Sequence, residues 1–186
     1  MLKGGIIMYY GEIKKFDIAN GMGVRVSLFV SGCTHHCKNC FNEVTWDFHY
    51  GQEFTKETED LIIEYLKPSH VAGITLIGGE PMEQSNQRGL LPLVKRIKEV
   101  YPEKNIWCYS GYLFDEELLK PSRARCEVTD ELLSYIDILV DGKFVEELKD
   151  VTLRFKGSSN QRIIDVQASL REGKVVLSEL NDPRIR

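Results

Sequence analysis

The sequence contains no apolar run approaching the roughly 18 residues that a membrane helix needs, so no segment is expected to cross a bilayer. Met1 to Tyr10 carries one Lys and a short apolar patch, and lacks the continuous apolar core of a signal peptide. The expected compartment is a reducing cytoplasm, where thiolates stay available to metal. A surplus of positive charge is missing too: 24 Lys and Arg stand against 28 Asp and Glu, for a net charge of −4. That balance argues against a nucleic-acid partner, which a basic surface would attract. No internal repeat, low-complexity tract or linker-like run divides the chain. Its 186 residues suit one domain, 1–186, large enough to bury about 70% of its unfolded surface without disulfides or structural metal. Met8 is an alternative start, which would make residues 1–7 a dispensable N-terminal extension.

The cysteines do not make a disulfide framework. There are five, an odd number, and three of them (Cys33, Cys37, Cys40) fall within eight residues while Cys108 and Cys126 stand alone. Clustering of this kind points to a metal site.

Strand and helix patterns alternate along the chain. Val24–Val30 is apolar and β-branched between turn residues, which predicts a buried strand. Gly73–Ile77, Asn105–Tyr109 and Ile138–Val140 read as further strands. Between them, Thr58–Tyr65 after Thr55, Leu90–Val100, and Asp130–Ile136 capped by Thr129 or Asp130 read as helices. Pro68 ends the first of these. Arg162–Val166 and Lys174–Leu177 read as a hairpin across Gly173. The alternation predicts an α/β fold with a mostly parallel sheet. Cys33, Gly78, Ser110 and Asp141 each follow a strand, and ligands in such folds sit beyond the carboxyl ends of the strands. Four strand ends therefore point at one site.

Cys33-Thr-His-His-Cys37-Lys-Asn-Cys40 is a C-x3-C-x2-C loop. Iron–sulfur clusters are held by Cys thiolates, usually four, so three would leave one iron open to an outside ligand. Zinc is the alternative, with His35 or His36 completing a Cys3His set from strained positions inside the loop.

Together these stretches resemble the radical S-adenosylmethionine superfamily, and within it the activases of the anaerobic ribonucleoside-triphosphate reductase. The resemblance rests on Asn20–Arg25, Leu28–Cys33, the cysteine loop, Cys40-Phe41-Asn42, Gly78-Gly79-Glu80-Pro81, Val140–Phe144 and Lys156–Arg162, in this order from about residue 9 to 166. One departure is Asn39, where many members place an aromatic before the third cysteine.

The resemblance implies a [4Fe–4S] cluster on Cys33, Cys37 and Cys40, with S-adenosylmethionine on the open iron. One electron would split the S–C5′ bond into methionine and a 5′-deoxyadenosyl radical, which takes hydrogen from a glycine Cα of the reductase. No Ser/His/Asp or paired-carboxylate arrangement is needed, and the sequence offers none. The glycines Gly78 and Gly79 would bring backbone close to the methionine end, with Glu80 adding negative charge. Asn39 and Phe41 would flank the adenine, with the core as an alternative place for Phe41. Asp141 would bind a cation or order the methionine carboxylate, Lys143 would neutralise it, and Ser110 would donate to it. Gly157–Arg162 suggests site closure or a partner contact. The implied partners are the reductase and a low-potential electron donor such as a reduced flavodoxin. The alternatives are an activase for another glycyl-radical enzyme and, from a different class, a zinc-stabilised interaction module. Some five strands cannot close an eight-stranded barrel, so a partial β/α barrel with an open side is expected.

Overall fold

A computed structural model describes residues 7–182. Strand β2 (Val24–Val30) shows why a sheet forms here: Val26, Leu28 and Val30 are fully buried on one face, while Arg25, Ser27 and Phe29 alternate onto the other. It pairs in parallel with β4 (Val71–Gly78), which pairs in parallel with β5 (Asn105–Ser110), and β5 with β6 (Ile138–Asp141). Outside this centre lie antiparallel strands: β1 (Tyr9–Asp17) and β3 (Gln52–Glu53) on one flank, and β7 (Arg162–Asp165) on the other. The order is β3-β1-β2-β4-β5-β6-β7, and the two ends do not meet. This is the expected α/β architecture, an unclosed sheet with a parallel centre, as a partial barrel requires.

Helices α1 (Lys56–Leu66), α2 (Gln84–Val100) and α3 (Thr129–Tyr135) connect the parallel strands, and their apolar side chains join the main core. Thr55 caps α1 through a reciprocal bond with Thr58, and Ile62 and Leu66 are buried while Leu61 stays exposed. Helix α2 starts six residues before the apolar pattern does. Asn86 and Gln87 lie in that polar first part, yet both are buried, donating to Ser31 O, Glu80 O, Met82 O and Ala124 O. They bond strand ends to the helix, so periodicity could not report them.

Three expectations change. Neither Thr129 nor Asp130 caps α3: its N-cap is Val128, Thr129 donates to Gln87, and Asp130 pairs with Arg125. The C-terminal hairpin is not present, because α4 (Val166–Glu172), capped by Asp165, separates β7 from residues 174–177 and Gly173 ends it in the left-handed region. Only an isolated bridge, Ile164 to Leu177, remains of the pairing. The sheet also has seven strands rather than five. The added β1 presents mostly polar, exposed side chains (Glu12, Lys14, Lys15), which hide a strand whose buried face is narrow.

Of the suggested N-terminal extension, residues 1–6 lie outside the described residues. Met8 is in the core and packs against Gly89. At the opposite end of the sheet from the cysteines, Arg25 is fully buried. Its guanidinium donates to Thr75 Oγ1, Met22 O, Asn105 Oδ1 and Ile74 O and lies over Trp107. Burial pulls its pKa down to about 10, so it stays charged and its neutral partners share the desolvation cost.

Candidate metal centre and cofactor site

The parallel strands end level: Val30 is opposite Gly78, and Ser110 opposite Asp141. The cysteine loop leaves β2 at this rim. Gly32, with φ +99°, turns the chain where a Cβ would lie 2.3 Å from the Phe48 ring. Its amide donates to Thr45 O (2.7 Å), and that of Cys33 to Trp46 O (3.3 Å). Further on, His36 and Asn39 adopt φ of 48° and 56°, and Cys40 N closes a turn on Cys37 O at 3.2 Å. The His36 ring stacks on Trp46 at 4.4 Å.

All three thiols of the loop are free, Cys33 buried and the others partly so. Burial pushes the Cys33 thiol up to about 12, although the His35 and His36 amides favour its thiolate. Burial and neighbouring Cys40 raise Cys37, against the Phe144 amide and Lys143, which draw it down. Amide donors around sulfur suit thiolates that carry iron. Among the described residues no three His, Cys, Asp or Glu side chains already stand in metal-site geometry, so the loop carries the donors without closing them on a point. His35 Nε2 is engaged with Glu80 and His36 is stacked on Trp46. The donor set is thus three soft thiolates within eight residues and fits an iron–sulfur cluster with one open iron.

The turn after β4 packs directly on this loop. Gly79 N donates to Val30 O (2.7 Å) and Glu80 N to Gly32 O (2.8 Å). A Cβ on Gly78 would fall 2.6 Å from Val30 N, and one on Gly79 2.5 Å from Gly32 O. Gly78 is therefore required by the close approach of β2 backbone, and Gly79 by that of the Gly32 and Thr45 backbone. The Glu80 carboxylate is buried and fully used, accepting from His35 Nε2 (2.8 Å), Gly111 N (2.7 Å) and Met82 N (2.7 Å).

Ser110 Oγ, at the end of β5, accepts from Tyr112 N. Asp141 is completely buried and accepts from Phe114 N and from Arg162, whose Nε and Nη2 reach its two oxygens at 2.9 and 2.5 Å. Arg162 also binds Asp115. Lys143 is exposed, with its ammonium acting on Cys37. The polar segment 157–162 clamps this strand end. Gln161 accepts from Gly157 N and Ser158 N and donates to Gly142 O, while Asn160 donates to Lys143 O. Arg162→Met would leave Asp141 with one donor in a dry place. The variant is expected to lose about 2–3 kcal/mol in urea unfolding; an unchanged midpoint would show that the pair contributes nothing.

Asn39 and Phe41 flank Cys40 on the exposed side. Phe41 is 82% exposed rather than packed in the core, and walls a groove of about 330 Å³ with Phe29, Asn42, Thr45 and Tyr50. Cys108 is buried in β5, and Cys126 contacts Gln87 and Thr129, both away from the loop. Sequence reading did not single out Glu83, whose Oε1 accepts from Thr34 N and Thr34 Oγ1, nor Tyr112, which bonds Glu83 and lies against His35. Neither belongs to a spacing pattern; only the fold brings them together.

Residues 19–164 match the family model of a 4Fe-4S single cluster domain, a span holding the cysteine loop and the ends of β2, β4, β5 and β6. The chain is similar to the anaerobic ribonucleoside-triphosphate reductase-activating proteins of Vibrio cholerae (44% identity over 84% of this chain and 97% of the relative) and Salmonella typhimurium (46%, over 83% and 96%). The protein of that name from Enterobacteria phage T4 is 38% identical over 84% of this chain and 93% of its own. The chain belongs to the family of anaerobic ribonucleoside-triphosphate reductase-activating proteins, built on a 4Fe-4S single cluster domain.

Proposed function

We propose that this chain is a radical S-adenosylmethionine activase that generates a glycyl radical on the anaerobic ribonucleoside-triphosphate reductase. The observation that carries the reading is the convergence, at one rim of the sheet, of the three-cysteine loop with the ends of β4, β5 and β6. When bound, the cluster and S-adenosylmethionine supply one-electron cleavage of the S–C5′ bond and hydrogen-atom abstraction from a glycine Cα. Cys33, Cys37 and Cys40 hold the iron. Gly78 and Gly79 seat their turn against β2, bringing its backbone to the metal loop. Glu80 and Asp141 act from behind, because their carboxylates already bind protein donors. Lys143, which makes no ion pair among the described residues, is the group available to neutralise the methionine carboxylate, with the Ser110 hydroxyl near the same rim. Asn39 and Phe41 border the adenine side, and Phe41 also lines the open groove.

No described helix is long and apolar enough to cross a membrane. We place the protein in the cytoplasm, with a low-potential donor such as reduced flavodoxin supplying the electron. The test mixes anaerobically reconstituted protein, S-adenosylmethionine, a strong reductant and the reductase. A brown protein absorbing near roughly 400 nm and a glycyl-radical doublet in electron paramagnetic resonance are expected. Colourless protein holding one zinc would overturn the reading, and a doublet only with another glycyl-radical enzyme would reassign the substrate.

A further inference from the structure

Glu80 and His35 form an enclosed polar contact at the rim: Nε2 to Oε2 is 2.8 Å, with side chains 3% and 1% exposed. Glu80 belongs to the turn after β4, His35 to the cysteine loop, and Gly111, which donates to the same Oε2, to the end of β5. One carboxylate thus ties three separate chain segments. A bond to a buried carboxylate is among the stronger hydrogen bonds, and it fixes both the tautomer and the orientation of the ring. The ring is enclosed as well. Tyr112 lies edge-on at 4.4 Å, and a Cβ on Gly111 would sit 2.5 Å from His35 Cδ2. Gly111 does not have a positive φ, so its missing side chain is explained by the space the ring takes. Next to it, Thr34 is held twice by Glu83. His35 Nδ1 is buried without a protein partner, so folding alone does not satisfy this ring, and its position must serve something else.

We propose that His35, seated on Glu80, is a positioning residue: the brace that holds the middle of the cysteine loop so that the thiolates of Cys33 and Cys37 keep their grip on a cluster. The brace lies two residues from each of these cysteines, and among the described residues no other buried side-chain hydrogen bond ties residues 34–36 to the strand ends. Its role is to slow cluster loss. The inference rests on the iron–sulfur reading above, and the experiment separates the two.

Reconstituted full-length protein, without S-adenosylmethionine, is challenged with a ferrous chelator, and loss of the visible absorbance is timed. The melting temperature of each apo-protein is recorded alongside. H35L is expected to release iron about 10–100-fold faster than wild type, the range seen when a group supporting a metal ligand is lost. H35Q, whose amide still donates to Glu80, should restore most of the stability. G111A, which pushes the ring off its seat without altering the loop, should resemble H35L. The double variant H35L/G111A should be no faster than H35L alone, since both remove one contact. Iron retention by H35L at the wild-type rate would overturn the brace, as would additive effects in the double variant. If H35L fails to fold, G111A against H35Q decides in the same way. Wild-type protein that takes up no iron–sulfide cluster would overturn the metal reading itself, and the brace with it.

Discussion

Cys37→Ser, loaded anaerobically with iron and sulfide, is expected to form no lasting four-iron cluster and to lose reductase activation by on the order of a thousandfold or more, a barrier change of about 4 kcal/mol. The same holds for Cys33→Ser and Cys40→Ser. With only three protein thiolates in the loop, losing one leaves two irons without protein ligands. The measurement is iron and sulfide per chain together with the electron paramagnetic resonance doublet on the reductase. Cys108→Ser and Cys126→Ser are the internal controls. Cys108 lies in the core of β5 and Cys126 against Gln87, so both variants should load normally. A full cluster in Cys37→Ser would mean that the loop does not hold the iron. Loss of the cluster in Cys126→Ser would bring that residue into the site.

Gly78→Ala is expected to be strongly destabilising. Gly78 has φ +112°, and its Cβ would lie 2.6 Å from Phe29 C, Val30 N and Val30 O, all backbone atoms that cannot swing away. The strained dihedral costs about 1–3 kcal/mol and the overpacking a similar amount, together about 4 kcal/mol. At this chain length that corresponds to a fall in melting temperature of roughly 8–16 °C. Because the shift would pry the turn off β2, cluster loading should fall with stability. Calorimetry of the apo-protein is the check. A melting temperature within a degree or two of wild type would show that the rim tolerates an opening between β2 and β4.

Much of the parallel centre was legible because its strands are buried on both faces, and burial leaves continuous apolar runs such as VRVSLFV and GITLI. The flanking strands were not, since β1 faces water along much of its length and β3 has only two residues. The C-terminal hairpin misled for a related reason: Gly173 is a helix terminator, and its neighbours are too short to show which period they follow. At the site, spacing marked the cysteines and the glycine turn. The family resemblance, not spacing, assigned Glu80 and Asp141 to the cofactor, and the fold gives their oxygens to Gly111, His35, Phe114 and Arg162. A carboxylate reads the same in sequence whether it meets a ligand or an amide, because its partners come from segments far along the chain.

The strand order also dictates when the metal loop can be finished as the chain leaves the ribosome. Once residues up to about 80 have emerged, β1, β2 and β4 can pair, and the cysteine loop already meets Gly79 and Glu80. The carboxylate still lacks the Gly111 amide, which arrives only with the end of β5, and Asp141 waits longer for Arg162. A nascent chain therefore offers its thiols early on a loop not yet held from all sides. Iron delivered then would meet a flexible ligand set exposed to oxidation, whereas iron delivered after release meets the finished rim. Cluster insertion therefore suits the completed protein, in which Gly111 and Arg162 have closed the rim.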